Sequence, residues 1–489
     1  MRARVCALVW VFVLSSVTAF ARTDALQRAS QLELAGHFQE ARAVLTAALT
    51  SPNLSAVDQK EIQFEIDRLE RIKKDFRYTK ESLCEELKKS VRGLTLKEFE
   101  QWIAERRFDS REIDGRRLYM SASVSNLFFR YPELSARRIP PKDTSSVDAH
   151  YLETCMEIKR AARLEGKPYV LPKHFEVTMT AKVIGAVAPE GETIRAWLPI
   201  PRTYPFQGGF ALTSPSAEIK HTDSADSPIR SIYLQQSSRG KQNTEFKIEY
   251  RYTAHGVWFN VDPAAVKPLP PDSQLNQFIA EAPHVQFTPE LRALSQQIAG
   301  NESNPYLKAK RFYDWIADNI KYSFACEYST IRNLSEYCRT KRYGDCGQEA
   351  MLFITLCRLS GIPARWQSGW NTFPGAKDIH DWTELYLAPY GWIPVDPYMG
   401  IYAMRYAMNL KPEQRRELRD FYFGGLDQYR LIANSDHNQT LAPPKHSMRS
   451  DNVDFQRGEL EWGNHNIYFD QFKYDLVAKE VESAAKPIE

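Results

Sequence analysis

Three side chains within a span of about fifty residues are of the types that can do nucleophilic chemistry together: Cys346, His380 and Asp396. Cys346 lies in Tyr343-Gly344-Asp345-Cys346-Gly347-Gln348-Glu349, directly before the apolar positions Ala350, Leu352, Phe353, Leu356 and Leu359 and the break Gly361-Ile362-Pro363. Asp345 is the expected N-cap of a buried helix, and the glycine and proline are its expected end. A thiol on the first turn meets the positive end of the helix dipole, which favours thiolate. A nearby imidazolium favours it further, and the amides of that turn can donate to an oxyanion. A lone cysteine at a helix start is more often a small buried hydrophobe, so its partners decide the reading.

Those partners have to be delivered by strands. Ala364 to Gly369 has strand character, a loop through Pro374-Gly375 follows, and then come His380-Asp381-Trp382-Thr383-Glu384-Leu385-Tyr386-Leu387. A tight Pro389-Tyr390-Gly391 turn leads into Trp392-Ile393-Pro394-Val395-Asp396-Pro397. The pattern predicts a hairpin with His380 near its start and Asp396 near its end, placing imidazole and carboxylate on antiparallel neighbours. The carboxylate would orient the ring, and the ring would activate the thiol.

GDCGQEAMLF, RLSGIPAR, HDWTELYL and GWIPVDP, in this order over about 100 residues, resemble the core of the transglutaminase-like superfamily. The resemblance implies a papain-like core with Cys346 as nucleophile, His380 as general base and acid, and Asp396 as orienting carboxylate. The strand segment with Ala196-Trp197-Leu198-Pro199-Ile200-Pro201 is similar to the β-rich part that often precedes this core in bacterial members. A second oxyanion donor is often an upstream side chain in this superfamily, for which Tyr322 is the candidate, with a core tyrosine as the alternative. Trp382 and Trp392 are candidates for the cleft wall or for core. Glu384 shares strand parity with His380 and is a candidate either for support of the site or for a simple salt bridge.

Around this core the expected class is α+β, with 1–21 a signal peptide, 22–170 a helical N-terminal region and 171–265 a small antiparallel β unit. The catalytic core is expected at 276–400 and a C-terminal extension packing on it at 401–489. The signal peptide is read from Arg2 and Arg4, the apolar run Val5 to Val17 and Ala19-Phe20-Ala21, with cleavage after Ala21 and a periplasmic or secreted product. That run is shorter than the roughly 20 residues a spanning helix needs, so no membrane span is expected in the mature chain. A formal charge of +3, falling to +1 once Arg2 and Arg4 are cleaved off, gives no field for nucleic acid.

The other histidines show no HxxH or HExxH spacing, and no DxDxDG loop or GxGxxG run occurs, so neither metal nor cofactor is expected. Cys326 with Cys338 and Cys84 with Cys155 are candidate bridges, whereas Cys357 reads as a buried thiol. Asp427-Gln428-Tyr429-Arg430 is a candidate groove lining or surface packing segment. The expected partner is a peptide or protein substrate. Three functions fit these residues: a thiol amide or peptide hydrolase, a protein-glutamine transamidase that resolves the same thioester with an amine, and a binding scaffold without turnover.

Overall fold

The computed structural model describes residues 23–52, 54–269 and 274–482. The expected signal peptide lies outside them. Helices and antiparallel strands form separate layers, giving the α+β class. The chain divides into two compact units, one of residues up to 142 together with 324–331, the other of 143–323 and 332–489.

In the first unit, helices at 23–34 and Phe38–Leu49 are joined at Gly36, whose φ of 86° is the left-handed turn glycine allows. Phe38, Ala41, Leu45, Ile62 and Leu69 form its core, while Leu34, which shares the apolar spacing, points out to solvent. Purely helical spacing overlooks a three-stranded sheet of Phe76–Tyr78, Arg116–Met120 and Ser110–Ile113. Its hairpin turns at Asp114-Gly115, both at positive φ, the Asp-Gly pair that such turns require.

The second unit holds two five-stranded sheets and the four-stranded sheet of the candidate site. Val177, Met179, Phe246 and Ile248 from one five-stranded sheet meet Ile194, Ala196, Leu198, Ile232 and Leu234 from the other, and helix Ser145–Glu165 adds Tyr151, Cys155 and Ile158. Each of the Val, Leu, Ile, Met and Phe side chains among them contributes roughly 1.5–3 kcal/mol by leaving water. The tail supplies strands to the two five-stranded sheets and to the four-stranded one. Phe472–Val481 runs along Tyr169–Val183 from Val183 opposite Phe472 to His174 opposite Val481, and Glu459–Trp462 pairs with Thr193–Pro199. Strand pairing across such sequence separations has no local signal, so a unit confined to 171–265 omits strands that complete both sheets.

The four-stranded sheet is antiparallel in the order Gly391–Val395, Asp378–Leu387, Ala364–Asn371, Arg430–Asn434. Gly369 lies opposite His380, and a Cβ there would overlap the Leu431 carbonyl of the neighbouring strand. Glycine is therefore what lets the tail strand approach the sheet beside His380.

The described cysteines are all free. Neither candidate bridge, Cys326 with Cys338 or Cys84 with Cys155, is formed. Among the described residues no helix is long and apolar enough to cross a membrane.

Candidate active site

Helix Cys346–Leu359 is buried on every side from Cys346 to Arg358, which explains why its apolar residues do not keep to one stripe. Its start is fixed by a reciprocal cap. The Gln348 amide donates to Asp345 Oδ1 at 3.2 Å, and the Asp345 amide donates to Gln348 Oε1 at 3.3 Å. Cys346 is the first helical residue and keeps 9% of its surface exposed.

His380 and Asp396 meet through the hairpin register. Thr383 pairs with Val395, so Asp396 falls beyond the ladder on the same face as His380 and Trp382. His380 Nε2 lies 2.8 Å from Asp396 Oδ2. The carboxylate also caps the next helix, Pro397–Arg405, where Oδ1 accepts the Met399 amide at 3.1 Å. A third contact comes from the tail: the Arg430 guanidinium reaches Asp396 Oδ2 at 3.2 Å and donates through Nε to Asp427 Oδ2 at 3.1 Å. The Tyr422 hydroxyl donates to that Asp427 oxygen at 2.8 Å, and the guanidinium lies over the rings of Trp382 and Tyr422.

This buried chain of charges sets protonation. Burial alone would raise the Asp396 carboxyl, but His380 and Arg430 outweigh it and hold Asp396 below its ordinary range. Burial lowers His380, with Asp396 opposing and Arg430 adding to the lowering, so the ring is biased toward the neutral form. With Nε2 donating to an ionised Asp396, the free lone pair of the neutral ring is on Nδ1.

The thiol departs from expectation. Cys346 Sγ donates to Asp381 Oδ2 at 3.5 Å, while the His380 ring makes its hydrogen bond to Asp396, so among the described residues no hydrogen bond joins thiol and imidazole. Burial pushes the Cys346 thiol well up, and Asp381 and Asp345 push it further, against the thiolate that a helix start alone would favour.

The other sequence candidates fall in different places. Tyr322 pairs with Gly344, two residues before Cys346, and its ring stands edge-on to Tyr398, whose ring is in turn edge-on to His380 at 5.2 Å. Burial and then the charge of Cys346 raise the Tyr322 phenol. Trp382 is core: its indole donates to Gln367 Oε1 at 2.6 Å. Trp392 carries Arg365 on its ring at 4.0 Å, and Glu384 is salt-bridged to Arg365 at 2.7 Å. The tail segment lines no groove at Arg430, which is fully buried. Arg430, Asp427 and Gln456 carry no motif spacing, and Asp427 and Gln456 lie outside any strand; Asp381 falls within the HDWTELYL block, but nothing in that block marks it as the partner of the thiol.

Residues 292–397 match the family model described as the transglutaminase-like superfamily. These residues form a transglutaminase-like domain. The transglutaminase-like domain thus contains Cys346, His380 and Asp396 but not Arg430 or Gln456, which come from the tail. The chain is similar to an uncharacterized protein of Haemophilus influenzae, 24% identical over 236 residues, covering 42% of this chain and 63% of that one. It is also similar to the uncharacterized protein YebA of Bacillus subtilis, 24% identical over 129 residues, covering 22% of this chain and 17% of YebA. The chain therefore spans less than two thirds of either relative.

Among solved structures it resembles a candidate cysteine protease from Cytophaga hutchinsonii at 17% identity and TM-score 0.42, covering 65% of this chain and 94% of that one. It also resembles the periplasmic domain of TgpA from Pseudomonas aeruginosa at 15% identity and TM-score 0.26, covering 50% of this chain and 92% of that domain. No group of three or more His, Cys, Asp or Glu side chains arranged to hold a metal ion occurs among the described residues.

Proposed function

We propose that this chain is an exported, cysteine-dependent hydrolase of amide or peptide bonds that works through a thioester, with Cys346, His380 and Asp396 as its triad. The observation that carries the reading is the 2.8 Å bond between His380 and Asp396, buried inside a transglutaminase-like domain whose only helix-opening cysteine is Cys346. The neutral ring offers Nδ1 as base for the Cys346 proton, and the sulfur, relieved of that proton, attacks the substrate carbonyl carbon. Amides on the first turn of helix Cys346–Leu359 receive the developing oxyanion, with Tyr322 as the proposed second donor, its phenol kept neutral by burial. His380 then returns the proton to the leaving amine, and water activated by the same ring hydrolyses the thioester. Asp396 orients the ring throughout and stays ionised. The export assignment rests on the N-terminal sequence pattern, and the substrate is a peptide or protein.

Hydroxylamine tests the thioester. Added to the full chain with a mixed peptide library, it should intercept the acyl group and give hydroxamates that are missing with Cys346→Ala. Amine-linked glutamine products with an added primary amine would move the reading to a transamidase. Equal product patterns for the two proteins would favour a scaffold.

A further inference from the structure

Asp381 occupies a position the triad does not explain. It follows His380 on strand Asp378–Leu387, so its side chain leaves the strand on the opposite side, yet it is the group that receives the Cys346 thiol. Only 2% of it is exposed. Its second oxygen is held from the tail: Gln456 Nε2 donates to Asp381 Oδ1 at 2.6 Å and to the His380 carbonyl oxygen at 2.8 Å. One amide thereby fixes two consecutive residues, the proposed base and the carboxylate on the thiol. Gln456 is itself anchored, because the Trp370 indole donates to its carbonyl at 2.9 Å. Behind Asp381 stands Asp454, which accepts from Ser368 and, at 3.1 Å, from Asn434.

The charges that face the sulfur are mostly negative. Asp345 caps its own helix and Asp381 comes from the strand, where Asp378 and His380 also stand, while burial pushes the Glu349 carboxyl well up and favours its neutral form. Asp454, from the tail, shares a hydrogen bond with Asp381, and burial pushes its carboxyl up against the opposing charge of Arg457; among the described residues the Tyr322 and Tyr398 phenols also lie near the sulfur. A thiolate among these carboxylates would be repelled, whereas a thiol can donate to one of them.

We propose that Asp381, clamped by Gln456, is a positioning residue that holds Cys346 as a protonated, masked thiol until a substrate displaces the carboxylate. The proposal rests on the reading of Cys346 as nucleophile. On displacement the S–H bond breaks, the proton forms an N–H bond at His380 Nδ1, and sulfur keeps the electron pair. The resulting thiolate and imidazolium are the reacting pair, with Nε2 still on Asp396. No co-reactant is needed.

Alkylation of Cys346 by iodoacetamide, read by mass spectrometry of its peptide from about pH 6 to about pH 10, tests this on the full chain without turnover. Asp381→Asn should move the rate profile to lower pH by at least one unit, a gain of about tenfold at neutral pH, while Asp381→Glu should stay close to wild type. Asp381→Asn alkylating no faster than wild type across that range would overturn the proposal. Should Asp381→Asn not fold, Gln456→Ala takes its place: faster alkylation at neutral pH supports the clamp, and an unchanged rate overturns it. Failure here is separate from failure of the nucleophile reading, which would appear instead as amide cleavage surviving Cys346→Ala.

Discussion

His380 Nε2 sits 2.8 Å from Asp396 Oδ2, and that one oxygen also receives the Arg430 guanidinium at 3.2 Å. The proposed base is thus tied through a single buried carboxylate to a cation from the tail. Asp396 has two structural duties, because its other oxygen caps helix Pro397–Arg405.

Replacing Asp396 by Asn keeps the size and the cap acceptor but removes the charge that fixes the ring's tautomer. Cleavage by Asp396→Asn is expected to fall roughly 10³-fold or more in kcat, with a circular dichroism spectrum like wild type. A loss under about tenfold would remove Asp396 from the triad.

Arg430→Met leaves Asp396 and Asp427 buried without their cation. Breaking a buried ion pair from one side costs about 3–5 kcal/mol, so urea unfolding should show a loss of that order. A loss below about 1 kcal/mol would mean that Arg430 is dispensable to the site.

Gly369→Ala forces a methyl group into the Leu431 carbonyl. Overpacking of this kind costs about 1–3 kcal/mol. The same substitution at Gly115, where nothing stands within 4 Å but φ is 78°, should cost only the backbone strain, about 1 kcal/mol. Equal thermal shifts for the two variants would contradict the close approach of strands beside His380.

Acid should weaken the fold through His284. Burial, helped by His437, pushes its pKa down from 6.5 to about 4. Below pH 6.5 the unfolded chain takes up a proton that the folded chain refuses, so the stabilisation is complete above pH 6.5 and is lost as pH falls toward 4. The loss reaches about 3 kcal/mol at most. Unfolding free energies measured across that window should decline less steeply for His284→Asn than for wild type; parallel slopes would rule out His284 as a source.

The sequence makes the local parts of this site legible. Asp345 before Cys346 marks a cap, Gly361-Ile362-Pro363 marks a stop, and Pro389-Tyr390-Gly391 marks the turn that faces His380 toward Asp396, because caps and turns are decided within a few residues. What is hidden arises from distant pairing. Arg430 and Gln456 reach the site only because the tail adds strands to sheets begun far earlier, and neither residue type nor spacing announces it. The state of the thiol was hidden for a related reason. A helix dipole can be read from sequence, but the carboxylate that opposes it at Asp381 depends on side-chain direction and on Gln456.

In the proposed reaction Cys346 cleaves amide bonds. The full chain and its Cys346→Ala variant, incubated separately with one mixed peptide library and read by mass spectrometry, test it most directly. Cleaved or deamidated peptides present with the wild type and missing with the variant are the predicted result. The same peptides from both proteins, or from neither, would contradict it.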